Sequence, residues 1–302
     1  MTVQIQTYRP TLNAGQVYQR VAGSTAPLKA IGNVSALQLA ISEDEKTLTD
    51  YTQPGGGQWA AVSRVTGVDA TMTLHDLDTV NLSRAIYGDA TDQAGATVAA
   101  ELATAYQGGL TRLAHPSPTG VTVTCAAPAW AASTAKALGA FLLEGTHVYK
   151  ATAAGTTASS KPTFKTDGTS TTDGTVTWAD LGVFAAVANT DYEVRKEGLM
   201  ILGGGIPDGA PISVAYTYAA YSVVEALTAG SQLFELAFGG LNEANNNSPV
   251  VLDIYKLKIS AASALDFIGD DFASLEVKGK VLMVVTKTGA GTSKDYRVQM
   301  AD

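Results

Sequence analysis

The sequence has 302 residues, of which 46% are hydrophobic and 16% charged, with a formal net charge of −8. The negative charge disfavours tight binding to nucleic acid or anionic lipid, because no overall positive field attracts phosphate groups. The single cysteine, Cys125, excludes an intrachain disulfide framework and a multi-cysteine zinc site. The low fraction of charged residues predicts that much of the surface is buried against other copies of the chain.

The N-terminal residues lack the layout of a signal peptide. Residues 1–10 contain one charged side chain, Arg9, and no apolar core. No run in the sequence approaches the roughly 18 apolar residues needed to cross a bilayer. We therefore expect the chain to be made and folded in a cytoplasm.

In chain order, two strands around one loop are the first predicted elements. Residues 34–41 alternate between apolar and polar side chains, and the alternation resumes at Val62 and is clean from Val68 to Leu74, which is typical of strands with one buried face. In the second strand the apolar face is Val68, Ala70, Met72 and Leu74, and we expect it to pack inside the protein. Residues 43–58 are polar and end in Pro54 and three glycines, which predicts a long exposed loop.

A short helix is predicted from about residue 79 to 87. Asp78 can cap its N-terminus, Val80, Leu82 and Ala85 belong to an apolar stripe, and Gly88 ends it. Residues 89–107 are rich in alanine and threonine, and their segment 98–106 fits either a helix or a strand.

The rest of the chain is predicted to be mainly β. Ten of the 29 residues from 151 to 179 are threonine, which favours short exposed strands and turns. Further alternating or apolar runs predict strands within residues 191–218, 232–238, 250–259, 275–285 and 296–300. Since these runs do not alternate with long helices, the fold class is mainly β (α+β), with packed antiparallel sheets.

The candidate chemical groups do not form a catalytic pattern. His75, His115 and His147 lie in unrelated segments, and none has a second ligand at a metal-binding spacing. Asp76 and Asp78 beside His75 could form an acid–base cluster, but helix capping explains Asp78 without any chemistry. We interpret all three histidines as structural.

Two glycine runs, residues 55–57 and 203–205, are better explained as turns than as phosphate-binding loops. Neither is followed by Lys-Ser/Thr or by a helix pattern. The sequence has no G-x-S-x-G motif, and Cys125 has no nearby histidine. We therefore expect a protein that is not an enzyme and that needs no cofactor or metal.

Residues 31–89 share an ordered set of features with one known family. An apolar strand follows Gly32-Asn33, then come acidic residues, the loop Tyr51-Thr52-Gln53-Pro54 with its three glycines, a long strand, and a helix containing Asn81-Leu82. This order resembles the major tail tube proteins of tailed bacteriophages, especially those of siphophages. Residues 189–221 resemble a second part of the same proteins, an Asp-Tyr strand, a glycine turn and a Tyr-x-Tyr strand.

Residues 128–181 resemble a small β-module that phage virion proteins carry as surface decoration. Its markers include Trp130, Tyr149, Pro162 and Trp178. Because the module has sugar-binding relatives, Trp130, Tyr149 and Trp178 could form a platform on which glycans stack. The alternative, which we favour, is that these three rings form the small core of the module.

The resemblance implies a discontinuous tail tube domain, residues 1–125 and 186–302, with the β-module inserted at residues 126–185. In this family the fold is a set of packed antiparallel sheets with a flanking short helix. Six subunits form a ring lined by one continuous β-barrel, and rings stack into the tube through which DNA is ejected. Implied partners are other copies of the chain, the tape measure protein, and the tail terminator and distal tail proteins. The implied location is the virion tail, assembled in the bacterial cytoplasm.

The resemblance also suggests two sets of site residues. The polar side chains of the two long strands would face the lumen, giving a neutral or acidic wall that does not hold DNA. The candidates for the lumen are Gln38, Ser42, Asp69, Thr71 and Thr73. The loop between the strands would connect successive rings as it orders on stacking. The candidates in this loop are Asp50, Tyr51, Gln53, Pro54, Gly55, Gly56 and Gly57.

A different function remains open, that of a carbohydrate-binding virion or adhesion protein acting through residues 126–185. Deleting those residues would abolish such a function but leave a tube protein able to polymerise. A virion-attached hydrolase has no support, because no carboxylate pair occurs in a recognisable setting. Within the tail tube interpretation we favour a non-contractile tail, since an exterior module would obstruct a sheath.

Overall fold

The computed structural model of the chain describes residues 10–301 and is mainly β, which confirms the predicted fold class at that level. The described residues divide into two compact units. The first unit consists of residues 10–91 and 222–301, and the second of Asp92–Tyr221. The boundaries predicted for the inserted module, 125/126 and 185/186, both fall inside the second unit.

One helix and 22 strands make up the described part of the chain. In chain order they are β1 Asn13–Val21, β2 Lys29–Ala30, β3 Val34–Thr49, β4 Gln58–Leu74, α1 Thr79–Ala85, β5 Asp89–Gln93, β6 Ala96–Ala105, β7 Leu110–Arg112, β8 Thr119–Cys125, β9 Ala135–Lys136, β10 Phe141–Glu144, β11 His147–Ala153, β12 Gly155–Thr156, β13 Ser170–Asp173, β14 Val176–Val183, β15 Tyr192–Arg195, β16 Gly198–Ile201, β17 Ala210–Tyr218, β18 Tyr221–Glu225, β19 Leu233–Asn242, β20 Ser248–Ile259, β21 Leu275–Val281 and β22 Tyr296–Met300. β5 and β18, through which the chain passes between the units, pair with each other.

The first unit is built on one antiparallel sheet. Its strand order is β2-β1-β19-β20-β21-β4-β3, and β22 adds to β20. One face of this sheet forms the core, which includes Leu236, Ile254 and Leu275. The predicted apolar face of β4 is confirmed, because Val68, Ala70, Met72 and Leu74 are all buried in this core.

Helix α1 packs on the same core and begins as predicted. The Asp78 carboxylate accepts a hydrogen bond from the backbone N–H of Asn81, which caps the N-terminus. Ala85 is buried against the core. The helix ends at Ala85 instead of residue 87, because Tyr87 adopts a left-handed conformation with φ of 51° that a helix does not accommodate.

The second unit contains several small antiparallel sheets and two hydrophobic clusters. The strand orders β6-β17-β8 and β15-β16-β7 surround a cluster that includes Leu199, Ile212 and Tyr216. Segment 98–106, which the sequence left open, falls largely in strand β6. The order β10-β11-β14-β13, with the pair β12-β9, lies within residues 126–185 and surrounds a separate cluster that includes Trp178.

Residues 43–58 are not the long loop that their polarity predicts. β3 continues to Thr49 and β4 begins at Gln58, so only residues 50–57 form a turn. A strand that is exposed on both faces needs no apolar alternation, because its backbone hydrogen bonds alone define it. The sequence pattern therefore gave no signal for residues 43–49 of β3 and 58–61 of β4.

Within residues 10–301, no helix is long and apolar enough to cross a bilayer.

Candidate assembly surfaces

The outer halves of β3 and β4 form a two-stranded ribbon, residues 42–49 and 58–66. The two strands pair from Val34 with Leu74 to Thr49 with Gln58. β4 pairs with β21 only from Val68 to Leu74, so beyond this point β3 and β4 have no described neighbour but each other. Every residue of the ribbon is exposed. An isolated two-stranded hairpin is marginally stable in water, so the ribbon depends on the sheet from which it extends.

The ribbon also exposes large apolar side chains. Trp59 is 64% exposed and Leu48 is 53% exposed, and Val62 and Val65 are similarly open. Lys46 pairs with Val62 and Leu48 with Ala60, so the Leu48 and Val62 side chains lie on one face. Val65 pairs with Glu43 on the other face. Contiguous exposed apolar groups of this kind mark interaction surfaces.

The turn at the tip of the ribbon contains the residues that the sequence selected for ring-to-ring contact. The Asp50 N–H donates to the Gly57 carbonyl, and the Asp50 carboxylate accepts hydrogen bonds from the N–H and hydroxyl of Thr52. The hydroxyl and then the N–H of Thr52 hold the pKa of the Asp50 carboxyl below its usual value. Tyr51 is 84% exposed. The turn is thus ordered by its own hydrogen bonds and presents the Tyr51 ring to solvent.

All five candidate lumen residues lie on one face of the sheet, opposite the core. Gln38 on β3 pairs with Thr71 on β4, and Asp69 and Thr73 alternate with Thr71 along the same strand. Ser42 follows Gln38 on the same side of β3. Gln38 and Ser42 are exposed, whereas the three β4 residues are half-buried. We call this surface the polar face.

The polar face carries lysines that sequence reasoning missed. On β21, Lys280 pairs with Asp69, Lys278 with Thr71, and Glu276 with Thr73. Lys258 of β20 pairs with Lys280 and extends the row. Lys278 forms an ion pair with Glu276 at 2.8 Å. The face is therefore mixed in charge, in contrast to the neutral or acidic wall expected from β3 and β4 alone. The alternation of apolar and polar residues in β21 predicted a strand, but it did not show that β4 and β20 lie beside this strand.

The three candidate glycan-binding rings lie in or against the core of residues 126–185. Tyr149 and Trp178 are both 0% exposed, and Trp130 packs against their cluster. The buried Asp173 carboxylate accepts hydrogen bonds from Nε1 of Trp130 at 2.8 Å and of Trp178 at 3.0 Å. A sugar needs an accessible ring face on which to stack, and Tyr149 and Trp178 offer none. The structure buries Tyr149 and Trp178 inside the module, with Trp130 half-buried against them, which favours the interpretation of these rings as a core.

His147 contributes to the same module through a half-buried hydrogen bond with a carboxylate. Its Nδ1 lies 2.9 Å from Oδ1 of Asp180. Burial acts to raise the pKa of the Asp180 carboxyl. Hydrogen bonds from His147 and from the N–H groups of Gly182 and Gly168 outweigh burial, so the pKa lies below its ordinary value. Burial similarly raises the pKa of the neighbouring Tyr149, whose hydroxyl donates to the Lys165 carbonyl.

Replacing Asp180 with asparagine should remove a pH-dependent part of the stability. A carboxyl with a lowered pKa in the folded state stabilises the protein at neutral pH, and this contribution is lost as the pH falls through that pKa. We expect Asp180→Asn to lower the free energy of unfolding at pH 7. The difference from the wild type should shrink below about pH 4, the ordinary range of the group. Urea unfolding at a series of pH values measures this, and a difference independent of pH would contradict it.

The remaining candidate groups have structural partners. His75 Nε2 lies 2.8 Å from the Ser35 hydroxyl, and the Asp76 carboxylate accepts a hydrogen bond from the Asn33 N–H. His115 stacks on Tyr218 with ring centroids 3.8 Å apart. Cys125 is half-buried, and burial raises the pKa of its thiol. In the described part of the chain, no three His, Cys, Asp or Glu side chains lie close enough together to hold a metal ion.

Comparison with known sequences identifies the family of the chain. The family described as "Protein of unknown function UCP028589" matches residues 10–154 and 140–299. The chain belongs to this family. The match to the UCP028589 family includes the ribbon, the polar face and the module with its buried Trp178. No curated protein matches the chain at a significant level.

Proposed function

We propose that this member of the UCP028589 family is the repeating subunit of a hollow protein tube, the major tail tube protein of a tailed bacteriophage. Six copies form a ring, rings stack into the tube, and the genome passes through the lumen during ejection. The observation that carries the proposal is the exposed β3–β4 ribbon. A ribbon of this length with apolar side chains on both faces is suited to contact with another copy.

Free strand edges support a ring of copies. β3 ends the strand order of the large sheet, and no strand of residues 10–301 pairs with its outer edge. At the other end of the order, the outer edge of β1 pairs only with the two residues of β2. Unpaired edges invite pairing with another chain, and closing sheets around a ring removes them. Edge-to-edge pairing of six copies would give one continuous sheet whose polar face lines the lumen.

The charges of the polar face suit a conduit through which DNA slides. Lys278 is paired with Glu276, and Lys280 lies across from Asp69. Tight binding of DNA requires many lysine or arginine contacts with phosphates. Alternating charges give few such contacts, so we expect weak and salt-sensitive attraction without retention of DNA.

The partners and location follow from the same proposal. The tape measure protein would occupy the lumen before DNA, and the terminator and distal tail proteins would bind the two ends of the tube. The subunits would assemble in the bacterial cytoplasm and remain in the virion tail, which we propose is non-contractile.

Electron microscopy of the purified chain tests the proposal. Negative staining at rising protein concentration should show rings or tubes with a central hole. Sedimentation velocity on the same samples should show large species in place of the monomer. A folded monomer at every concentration would overturn the proposal. Because Tyr149 and Trp178 are buried, the structure offers no specific support for a carbohydrate-binding function.

A further inference from the structure

The segment between β20 and β21 carries exposed apolar side chains next to carboxylates. Phe267, Ile268 and Phe272 are 81%, 97% and 96% exposed. Asp266, Asp270 and Asp271 are exposed beside them. We call residues 266–272 the acidic–apolar loop. Ala262 and Leu265 pack on the core of the first unit and hold the base of this segment. Side chains of this size seldom stand in water without a partner.

A groove in the same unit has the opposite charge. Its volume is about 630 Å³, and its lining includes Tyr255, Lys256 and Lys287. The ammonium group of Lys287 lies 3.6 Å from the centroid of the Tyr255 ring. Within residues 10–301, neither lysine has a carboxylate within ion-pair distance. Met283 and Val285 add apolar surface and are 60% and 71% exposed. We call this the lysine groove.

The other charges around the lysine groove are already paired. Arg297 binds Asp253 at 2.7 Å, and Arg20 binds Glu235 at the same distance. The net charge that the groove presents therefore comes from its two unpaired lysines. A ligand that matches it carries carboxylates together with apolar groups.

We propose that the acidic–apolar loop of one copy binds in the lysine groove of a second copy. Its phenylalanine and isoleucine side chains contact Met283 and Val285, and its carboxylates lie near Lys256 and Lys287. In its own chain the loop is exposed, so it does not fill its own groove. The inference rests on the proposed function and names the surfaces through which neighbouring copies recognise each other.

The geometry of such a contact suits an assembly of many copies. One copy contributes a loop and the next contributes a groove, so an open chain of copies keeps a free groove at one end and a free loop at the other until a ring closes. Buried aromatic anchors supply most of the binding energy in such contacts, and matched charges fix partner and orientation.

Charge reversal and its rescue test the contact. The loop variant is Asp270→Lys with Asp271→Lys, and the groove variant is Lys256→Glu with Lys287→Glu. Each should raise the protein concentration needed for assembly at least tenfold, because like charges then face each other. A mixture of the two variants should assemble again. The reversed loop of the first variant matches the reversed groove of the second, and the unchanged loop of the second matches the unchanged groove of the first. Light scattering, electron microscopy and circular dichroism measure assembly and folding.

Two further variants complete the design. Lys136→Glu with Lys196→Glu makes the same change of net charge as the groove variant, but in the second unit, and should leave assembly unchanged. Phe267→Ser with Ile268→Ser changes only exposed side chains and should impair assembly, so the proposal stays testable if the groove variant does not fold.

The outcomes separate this inference from the proposed function. If the wild type forms tubes and the folded loop, groove and serine variants form them equally well, the inference falls and the proposed function stands. Lost assembly that is not restored on mixing also overturns the inference. A wild type that stays monomeric overturns both.

Discussion

Removing the apolar side chains of the β3–β4 ribbon is expected to abolish assembly without unfolding the protein. The variant to make is Leu48→Ser with Trp59→Ser and Val62→Ser. All three side chains are more than half exposed, so their replacement should change the free energy of unfolding by no more than about 0.5 kcal/mol each. Loss of a buried aromatic anchor from an interface costs about 2 kcal/mol or more. The concentration needed for assembly should therefore rise by roughly 30-fold or more.

Sedimentation velocity and negative-stain microscopy, over a range of concentrations, measure this effect. Leu138→Ser is the matched control, because Leu138 is 70% exposed but lies in the second unit, outside the ribbon. The control should assemble as the wild type does. Tubes formed by the ribbon variant at wild-type concentrations would show that the ribbon has no role in assembly. Loss of the circular dichroism spectrum would instead show that the ribbon supports the fold.

The predictable parts of the fold are those in which one side of an element is buried. Alternation identified the buried face of β4 from Val68 to Leu74, since each apolar side chain there enters the core. The Asp78 cap was predictable because a carboxylate before an apolar stripe has one strong local role. Both features depend on residues that lie close together in the sequence, so one sequence is enough to predict them.

Most of the ribbon could not be predicted, because its strands have no buried face; the alternation that begins at Val62 predicted only part of β4 within it. From Glu43 to Thr49 every residue of β3 is exposed, and backbone pairing with β4 alone defines the strand. The composition of this segment resembles that of a loop for the same reason. Glycines 55–57 nevertheless marked the position of the turn, which residues 50–57 occupy.

The candidate surfaces depended on strand order, which one sequence does not reveal. The sequence placed Asp69, Thr71 and Thr73 on one face of β4, and the structure agrees. Lys278 and Lys280 join this face only because β21 pairs with β4 across about 200 residues of chain. Local sequence patterns therefore could not predict the charge of the polar face, because they do not show which strands pair.

Asp173→Ala is expected to cause a large loss of stability in the second unit. Asp173 is 1% exposed and accepts hydrogen bonds from both tryptophan indoles and, at 2.8 Å, from the Ala158 N–H. The substitution leaves three donors without their partner, two of them on Trp178 and Trp130. Each buried, unsatisfied donor costs about 1–3 kcal/mol, so we expect a loss of about 3 kcal/mol or more.

Thermal unfolding followed by tryptophan fluorescence measures the change. The midpoint should fall by roughly 10 °C, with emission moving to longer wavelength as the indoles meet water. Asp167→Ala is the control, because the Asp167 carboxylate is exposed and accepts its hydrogen bonds from the N–H and hydroxyl of Thr169, two residues away. An unchanged midpoint for Asp173→Ala would mean that the carboxylate does not hold the two rings in the core. Since the ribbon and the polar face belong to the first unit, the tube proposal further requires that Asp173→Ala still assembles at temperatures below its own midpoint.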